Sequence, residues 1–118
     1  MKFLITLAFV SSTAFAQPPA EMTAAETTKW LAFFDQLVDA VVAHQDECGK
    51  MATSVSTVID ANKESIAVAR AARARHAKLP HNAQAHMLDG VKKMGPGIEN
   101  CGDDARVKAA FSKLDVKK

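Results

Sequence analysis

The sequence predicts an all-α fold, a small antiparallel helical bundle of three main helices and a short fourth, held by one disulfide. Apolar residues recur in steps of three and four along most of the chain, which is the period of a helix face. The composition is rich in Ala and Lys, contains no Tyr and has few Gly or Pro, which favours helix over strand. The two cysteines, Cys48 and Cys101, fall where two of the predicted helices end.

Residues 1–16 have the features of a secretory signal peptide. Lys2 supplies a positive charge, an apolar run follows, and an Ala-Phe-Ala cleavage motif precedes Gln17. The apolar run is shorter than the about 20 residues that cross a bilayer, and the alternative interpretation is a buried N-terminal helix. No cysteine follows the cleavage motif, which argues against a lipoprotein anchor. We therefore expect an exported protein, periplasmic or secreted, with a bacterial origin favoured over a eukaryotic one.

The first predicted helix begins at a capping box, in which Thr23 and Glu26 each satisfy a free backbone donor. We expect a flexible lead over 17–22 and a single bundle domain over 23–115. The apolar face of this helix consists of Trp30, Phe34, Leu37, Val41, His44 and Cys48. The helix is predicted to end at Cys48, with Gly49 as its C-terminal cap.

The second predicted helix runs from near Lys50 to Lys78, because Pro80 disfavours helical angles at the residue before it. Asn62 lies on the apolar face of this helix. A buried Asn there would fix the register of a continuous helix, whereas a poor helix former in that place would mark a break. The sequence leaves both interpretations open.

The third predicted helix runs from near His81 to Cys101. Its apolar face consists of Ala83, Met87, Val91, Met94, Ile98 and Cys101. Gly-Pro-Gly at 95–97 predicts a kink or a brief stop, because Pro96 removes one backbone hydrogen bond and crowds the preceding turn. After Gly102, Asp103 or Asp104 is expected to cap the short fourth helix.

The disulfide follows from the compartment and the topology together. An even pair of cysteines in an oxidising compartment predicts a bridge. Short connections make neighbouring helices antiparallel, so the ends of the first and third helices lie at one pole of the bundle. Cys48 and Cys101 are placed at those ends, and a bridge needs Cα atoms about 4.4–6.8 Å apart. The alternatives are a reduced pair, a metal site and an intermolecular link.

The sequence gives no reason to expect an enzyme. It contains no phosphate-binding glycine loop, no nucleophile elbow and no His-Glu-x-x-His zinc motif. Asp35 and Asp39 have a spacing that an acid–base pair could use, but a solvated helix face is the better explanation. The absence of Cys-x-x-Cys-His excludes covalent c-type haem attachment.

The histidines and methionines provide the candidate metal ligands, although no cofactor is the first expectation. His44, Met51 and Met94 are predicted near the disulfide pole, and His with Met is a soft ligand set that suits copper. The alternative is that both methionines fill gaps in the core and that His44 is partly buried beside them.

A second group of histidines, His76, His81 and His86, flanks the loop between the second and third predicted helices. These residues are candidates for a zinc or nickel site. Their steps of five residues differ from the step of four that places two ligands on one helix face. Surface histidines are therefore the favoured interpretation.

The charge pattern bears on partners. One of the 15 basic residues, Lys2, lies in the predicted leader, which leaves 14 against 13 acidic residues and argues against nucleic acid as a partner. Four basic residues cluster at the end of the second predicted helix: Arg70, Arg73, Arg75 and Lys78. They complement the helix dipole, or they bind an acidic protein partner, a phosphate or, weakly, an anionic surface.

These observations lead to two hypotheses of function. The first is an exported binding, interaction or structural protein that contacts an unidentified protein partner through a helix face. The alternative is a small periplasmic protein that binds copper, zinc or nickel through His and Met residues. No segment after the leader is long enough to cross a membrane.

Overall fold

A computed structural model describes residues 20–114, and the predicted leader at 1–16 lies outside this range, as do 17–19 and 115–118. The described residues form five helices: α1 (Ala24–Ala43), α2 (Cys48–Ala61), α3 (Lys63–Ala74), α4 (His81–Cys101) and α5 (Ala105–Ser112). The predicted all-α bundle is confirmed. The one β-type contact in this range joins the lead to the α3–α4 loop, where Met22 N–H donates to the Lys78 carbonyl at 2.8 Å.

The chain reverses direction at the α1–α2 and α3–α4 connections, as predicted for short connections. Near the start of α1 and α4, Trp30 Nε1 donates to the Met87 sulfur at 3.2 Å. Near the other end of both helices, Asn100 Nδ2 donates to the Gln45 carbonyl at 2.8 Å. These two contacts show that α1 and α4 run in the same direction, while α2 and α3 return in the opposite direction along α1.

The core lies along α1, which packs against α2, α3 and α4, while α5 packs against α2. The largest fully buried side chains are Phe33, Val41, Met51, Val55, Cys101 and Val107. No polar or charged residue between 20 and 114 is buried. The apolar core, together with the disulfide, therefore holds the bundle together without an internal polar network.

The predicted helix caps are present at two positions. Thr23 Oγ1 accepts from the Glu26 N–H at 3.1 Å, and Glu26 Oε1 accepts from the Thr23 N–H at 2.8 Å, which completes the capping box. Of the two candidate caps for α5, the structure selects Asp104, whose carboxylate accepts from the N–H groups of Arg106 and Val107. Each cap satisfies backbone donors that a helix start leaves free.

The prediction that the first helix ends at Cys48 is wrong. Helix α1 ends at Ala43, and Cys48 is the first residue of α2. Gly49 is consequently not a C-terminal cap, and it lies in the first turn of α2 beside the Arg106 side chain. A Cβ at position 49 would be 2.7 Å from Arg106 Nη1, so the glycine makes room for this guanidinium. The cysteine remains at the predicted pole because the α1–α2 connection lies there.

The long second helix is divided at Asn62, which settles the question that the sequence left open. Asn62 ends α2, and its Nδ2 donates to the Val58 carbonyl at 2.8 Å and to Gln36 Oε1 at 3.0 Å. The side chain thus satisfies a carbonyl of the last turn of α2 and ties the break to α1.

Of the kink or brief stop predicted at Gly-Pro-Gly, the stop does not occur, because α4 continues through Pro96 to Cys101. Pro96 lies on the exposed side of the helix, where water can satisfy the carbonyl that loses its partner. On the opposite side, Gly97 and Cys101 are buried against the core, and the disulfide holds the last turn in place.

The predicted apolar face of α4 is wrong at two positions. Gly90 and Gly97 are buried, whereas Val91 and Ile98 are 52% and 43% exposed. Together with Ala83, the two glycines form a row of small residues in steps of seven that lets α4 approach α1 closely. A Cβ at Gly90 would lie 2.5 Å from a ring carbon of Phe34, so a valine cannot occupy this face.

Candidate functional site

The disulfide joins the start of α2 to the end of α4. The Cα atoms of Cys48 and Cys101 are 5.3 Å apart, and the predicted pairing is confirmed. The disulfide is compatible with an oxidising, extracellular location. Cys101 is fully buried, and a cysteine paired in this way is neither a nucleophile nor a metal ligand.

The three predicted copper ligands differ in how far their side chains are exposed to solvent. Met51 and Met94 belong to the buried core, whereas the His44 side chain is 31% exposed at the end of α1. His44 Nδ1 is itself buried and has no hydrogen-bond partner among residues 20–114. Glu47 Oε1 lies 4.0 Å from this nitrogen, beyond hydrogen-bond distance.

The three other histidines occupy different local environments. His86 Nε2 lies 2.6 Å from Asp35 Oδ1 and links α4 to α1. His81 is exposed at the first position of α4. His76 follows α3 with a positive φ of 60°. Between residues 20 and 114, no group of three or more His, Cys, Asp or Glu side chains has an arrangement that would hold a metal ion.

His76 completes a Schellman motif at the end of α3. The Ala77 N–H donates to the Ala72 carbonyl at 2.9 Å, and the His76 N–H donates to the Arg73 carbonyl at 3.0 Å. This motif requires a left-handed residue, and glycine usually occupies the position. A histidine therefore adopts a strained backbone conformation here.

The basic cluster does not form one continuous cationic patch, because its members have different partners. Arg75 Nη2 pairs with Glu26 Oε1 at 2.6 Å, and Arg70 Nη2 donates to the Leu114 carbonyl at 3.3 Å. Arg73 is exposed in the last turn of α3, and Lys78 lies in the following loop. Two of the four guanidinium or ammonium groups thus stabilise the bundle itself.

An exposed apolar stripe runs along the outer side of α4. We define the α4 stripe as Leu88, Val91, Gly95 and Ile98, which recur in steps of three, four and three. Leu88 is 58% exposed, and Val91 and Ile98 are about half exposed. A Cβ built at Gly95 meets no atom within 4 Å, so space is open at the middle of the stripe. Large apolar side chains grouped in this way are typical of interaction surfaces.

The charges beside the α4 stripe differ in their partners. Lys92 and Glu99 each follow a stripe residue directly, and neither forms an ion pair with another residue in the 20–114 range. By contrast, Lys93 pairs with Asp89 within the helix at 3.8 Å. The stripe therefore has one unpaired cation and one unpaired anion along its edge.

A second surface feature is an open cleft of about 1270 Å³ between α2 and α5. At one end, Lys113 Nζ lies 2.7 Å from Ser56 Oγ and 2.8 Å from Asp60 Oδ1. This arrangement places a serine hydroxyl beside a lysine, as in a Ser-Lys catalytic pair. However, Lys113 Nζ donates to both Ser56 Oγ and the Asp60 carboxylate, so it is not placed as a base that accepts the serine proton.

The same cleft has a second cation, Arg106, whose partner is Asp104. Their hydrogen bond is the main cause that lowers the pKa of Asp104 from 3.8 to about 2. In the same way, Lys113 lowers the pKa of Asp60, and Arg75 lowers the pKa of Glu26. Two of the cations that line the cleft, Arg106 and Lys113, are thus already partnered by Asp104 and Asp60.

The sequence reasoning missed the α4 stripe because it assigned Val91 and Ile98 to the core. The signal that would have found the stripe is the row of Ala83, Gly90 and Gly97. Small residues in steps of seven indicate a close helix contact, and they displace the neighbouring large residues to another face.

No protein-family model matches the chain, and no match was found among curated proteins or among solved structures. None of the helices between residues 20 and 114 is both long enough and apolar enough to cross a membrane.

Proposed function

We propose that this chain is an exported, non-enzymatic binding protein that contacts a protein partner through the α4 stripe. The observation that carries the proposal is the exposure of Leu88, Val91 and Ile98 on one side of a regular helix. Burying such side chains on association is favourable by about 25 cal/mol for each Å² removed from water. The predicted signal peptide and the disulfide support export to a periplasmic or extracellular compartment.

The spacing and the charge of the stripe indicate what kind of partner it fits. Steps of three and four match the ridges of a second helix, so the partner is expected to present an apolar helix face. The exposed charges of α4 are balanced, with Lys92 and Lys93 against Asp89 and Glu99. This balance does not favour an anionic membrane, which attracts clusters of basic residues.

Photo-crosslinking tests the proposal. A photoreactive phenylalanine analogue is placed at Val91, with a control at Asn82, which is exposed on another side of α4. The chain is expressed with its leader and irradiated in intact cells, and adducts are mapped by peptide mass spectrometry. We expect adducts at Val91 that map to an apolar helix face of one identified protein, and none at Asn82. Equal labelling at both positions, or no adduct at Val91, would refute the proposal.

One observation favours the alternative function, binding of a transition metal. His44 Nδ1 is a buried nitrogen without a hydrogen-bond partner among the described residues, and an imidazole nitrogen is a common ligand for copper, zinc and nickel. Calorimetric titration of the oxidised protein with each metal tests it, comparing wild type with His44→Ala and, as the control, His81→Ala. Binding tighter than about 10 μM that only His44→Ala removes would support the alternative, and weaker binding would exclude it.

A further inference from the structure

We propose that the partner of the α4 stripe is a second copy of this chain, with the two α4 helices packed antiparallel about Gly95. This inference rests on the proposed function, because it requires the stripe to be an interaction surface. It goes further by identifying the partner and the register of the contact.

The unpaired charges beside the stripe carry the inference. Lys92 and Glu99 are seven residues apart, so they occupy equivalent positions on the same edge of the helix. Among residues 20–114, neither has an ion-pair partner. Two identical antiparallel helices centred between these residues place Lys92 of each copy beside Glu99 of the other. A single symmetric contact thus pairs all four charges.

A parallel arrangement does not have this property. In a parallel two-fold contact, the edge that carries Lys92 and Glu99 in one copy lies on the opposite side of the contact from the same edge of the other copy. Neither charge then lies beside the opposite charge on that edge of its partner. The charge pattern therefore selects the antiparallel direction.

The shape of the stripe fits the same arrangement. With the centre of the contact between Gly95 and Pro96, as the charges require, Ile98 of each copy lies about 3 Å along the axis from Gly95 of the other. Ile98 is 43% exposed, and the space beside Gly95 is open within 4 Å of a built Cβ. A large side chain can fill that space, and the helix axes can approach to the about 8–10 Å of ordinary helix packing.

The way the helices pack explains why no helix of the bundle covers the α4 stripe. α4 packs mainly against α1, while the short α5 packs against α2 rather than along α4. One flank of α4 is therefore left without a neighbouring helix. A second α4 on that flank would complete a four-helix arrangement from two copies of α1 and α4.

The test is sedimentation equilibrium of the oxidised protein without its leader, which measures the mass of the particle in solution. Protein concentrations from about 1 μM to about 1 mM include the dissociation constants expected of small, weak interfaces. We expect a monomer–dimer equilibrium that Ile98→Asp abolishes. K92E replaces two attractions by two repulsions and is expected to raise the dissociation constant by about tenfold. The exchange K92E with E99K restores both attractions and is expected to return the dissociation constant to within about threefold of wild type.

K93E is the matched control, because it makes the same charge change at a residue whose partner, Asp89, lies in its own helix. It is expected to leave the dissociation constant unchanged. Circular dichroism confirms that each variant is folded. A dimer that K92E leaves intact, or that the exchange fails to restore, would overturn the antiparallel register and with it the inference.

A monomer over the whole range would also overturn the inference, but it would not decide the proposed function. Adducts at Val91 to a different protein, in a chain that stays monomeric, would retain the stripe as a binding surface and exclude self-association. The absence of both adducts and dimers would refute both proposals.

Discussion

Replacing Gly90 with alanine should destabilise the bundle, although alanine is the better helix former. Helix propensity alone favours the alanine by about 0.5–1 kcal/mol. At this position, however, the new Cβ would lie 2.5 Å from Phe34 Cε2 and 3.0 Å from Val38 Cγ2. Phe34 and Val38 are buried, so neither side chain can move aside into solvent.

The magnitude follows from these distances. Ordinary carbon contacts are about 3.5–4.0 Å, so the Phe34 ring and α4 must separate by about 1 Å. Overpacking of this kind costs about 1–3 kcal/mol, which exceeds the gain in propensity. We expect Gly90→Ala to lower the free energy of unfolding by about 1–2 kcal/mol.

Gly95→Ala is the matched control on the same helix. A Cβ at Gly95 meets no atom of another helix within 4 Å, so the clash is absent. Pro96 disfavours a helical residue with a Cβ before it, which offsets the propensity gain, and the free energy of unfolding should change by less than about 0.5 kcal/mol. Urea unfolding followed by circular dichroism measures both variants at a protein concentration where light scattering gives the monomer mass. A Gly90→Ala variant at least as stable as wild type, or as Gly95→Ala, would refute the close α1–α4 contact.

Three further outcomes can be checked in the same assay. Replacing Cys48 and Cys101 by serine should lower the free energy of unfolding by about 4 kcal/mol, the value that the chain-entropy model gives for a separation of 53 residues. A wild-type unfolding midpoint that does not change when reductant is added would contradict this. His76→Gly should raise the free energy of unfolding by about 1 kcal/mol, since it relieves a φ of 60°; a lower midpoint would show that the imidazole makes a contact stronger than the strain. The pKa of Asp104 is lowered from 3.8 to about 2, so the stability that its carboxylate gives the folded state is complete above pH 3.8 and is lost as the pH falls through about 2. Asp104→Asn should therefore lose less stability than wild type in this pH range, and an unchanged acid profile would contradict the assignment.

Local interactions explain which parts of the fold were predictable. The capping box at Thr23 and Glu26 and the Asp104 cap depend on residues two or three apart, so the sequence contains all the required information. The α1–α2 boundary was misplaced because His44 and Cys48 continue the apolar period of α1 beyond its end at Ala43. Helix periodicity cannot distinguish a continuing helix from a turn that leads into the next one.

The candidate surface was less predictable than the helices. The metal and anion candidates were chosen by residue type, and the structure places Met51 in the core and pairs Arg75 with Glu26. The α4 stripe was missed because Val91 and Ile98 are more apolar than Gly90 and Gly97. Which of the two rows faces the core depends on how closely α1 can approach, and this distance is a property of the packed pair.

The sequence by itself determined the helical class, the starts of α1, α4 and α5 and the common pole of the two cysteines, because periodicity, capping and topology act over short distances. The tertiary structure decided the break at Asn62, the passage of α4 through Pro96 and the face that α4 turns towards α1. Each of these depends on a contact between distant segments: Asn62 with Gln36, the disulfide beyond Pro96, and Gly90 with Phe34. The last contact leaves Leu88, Val91 and Ile98 exposed and so creates the surface on which the proposed function rests.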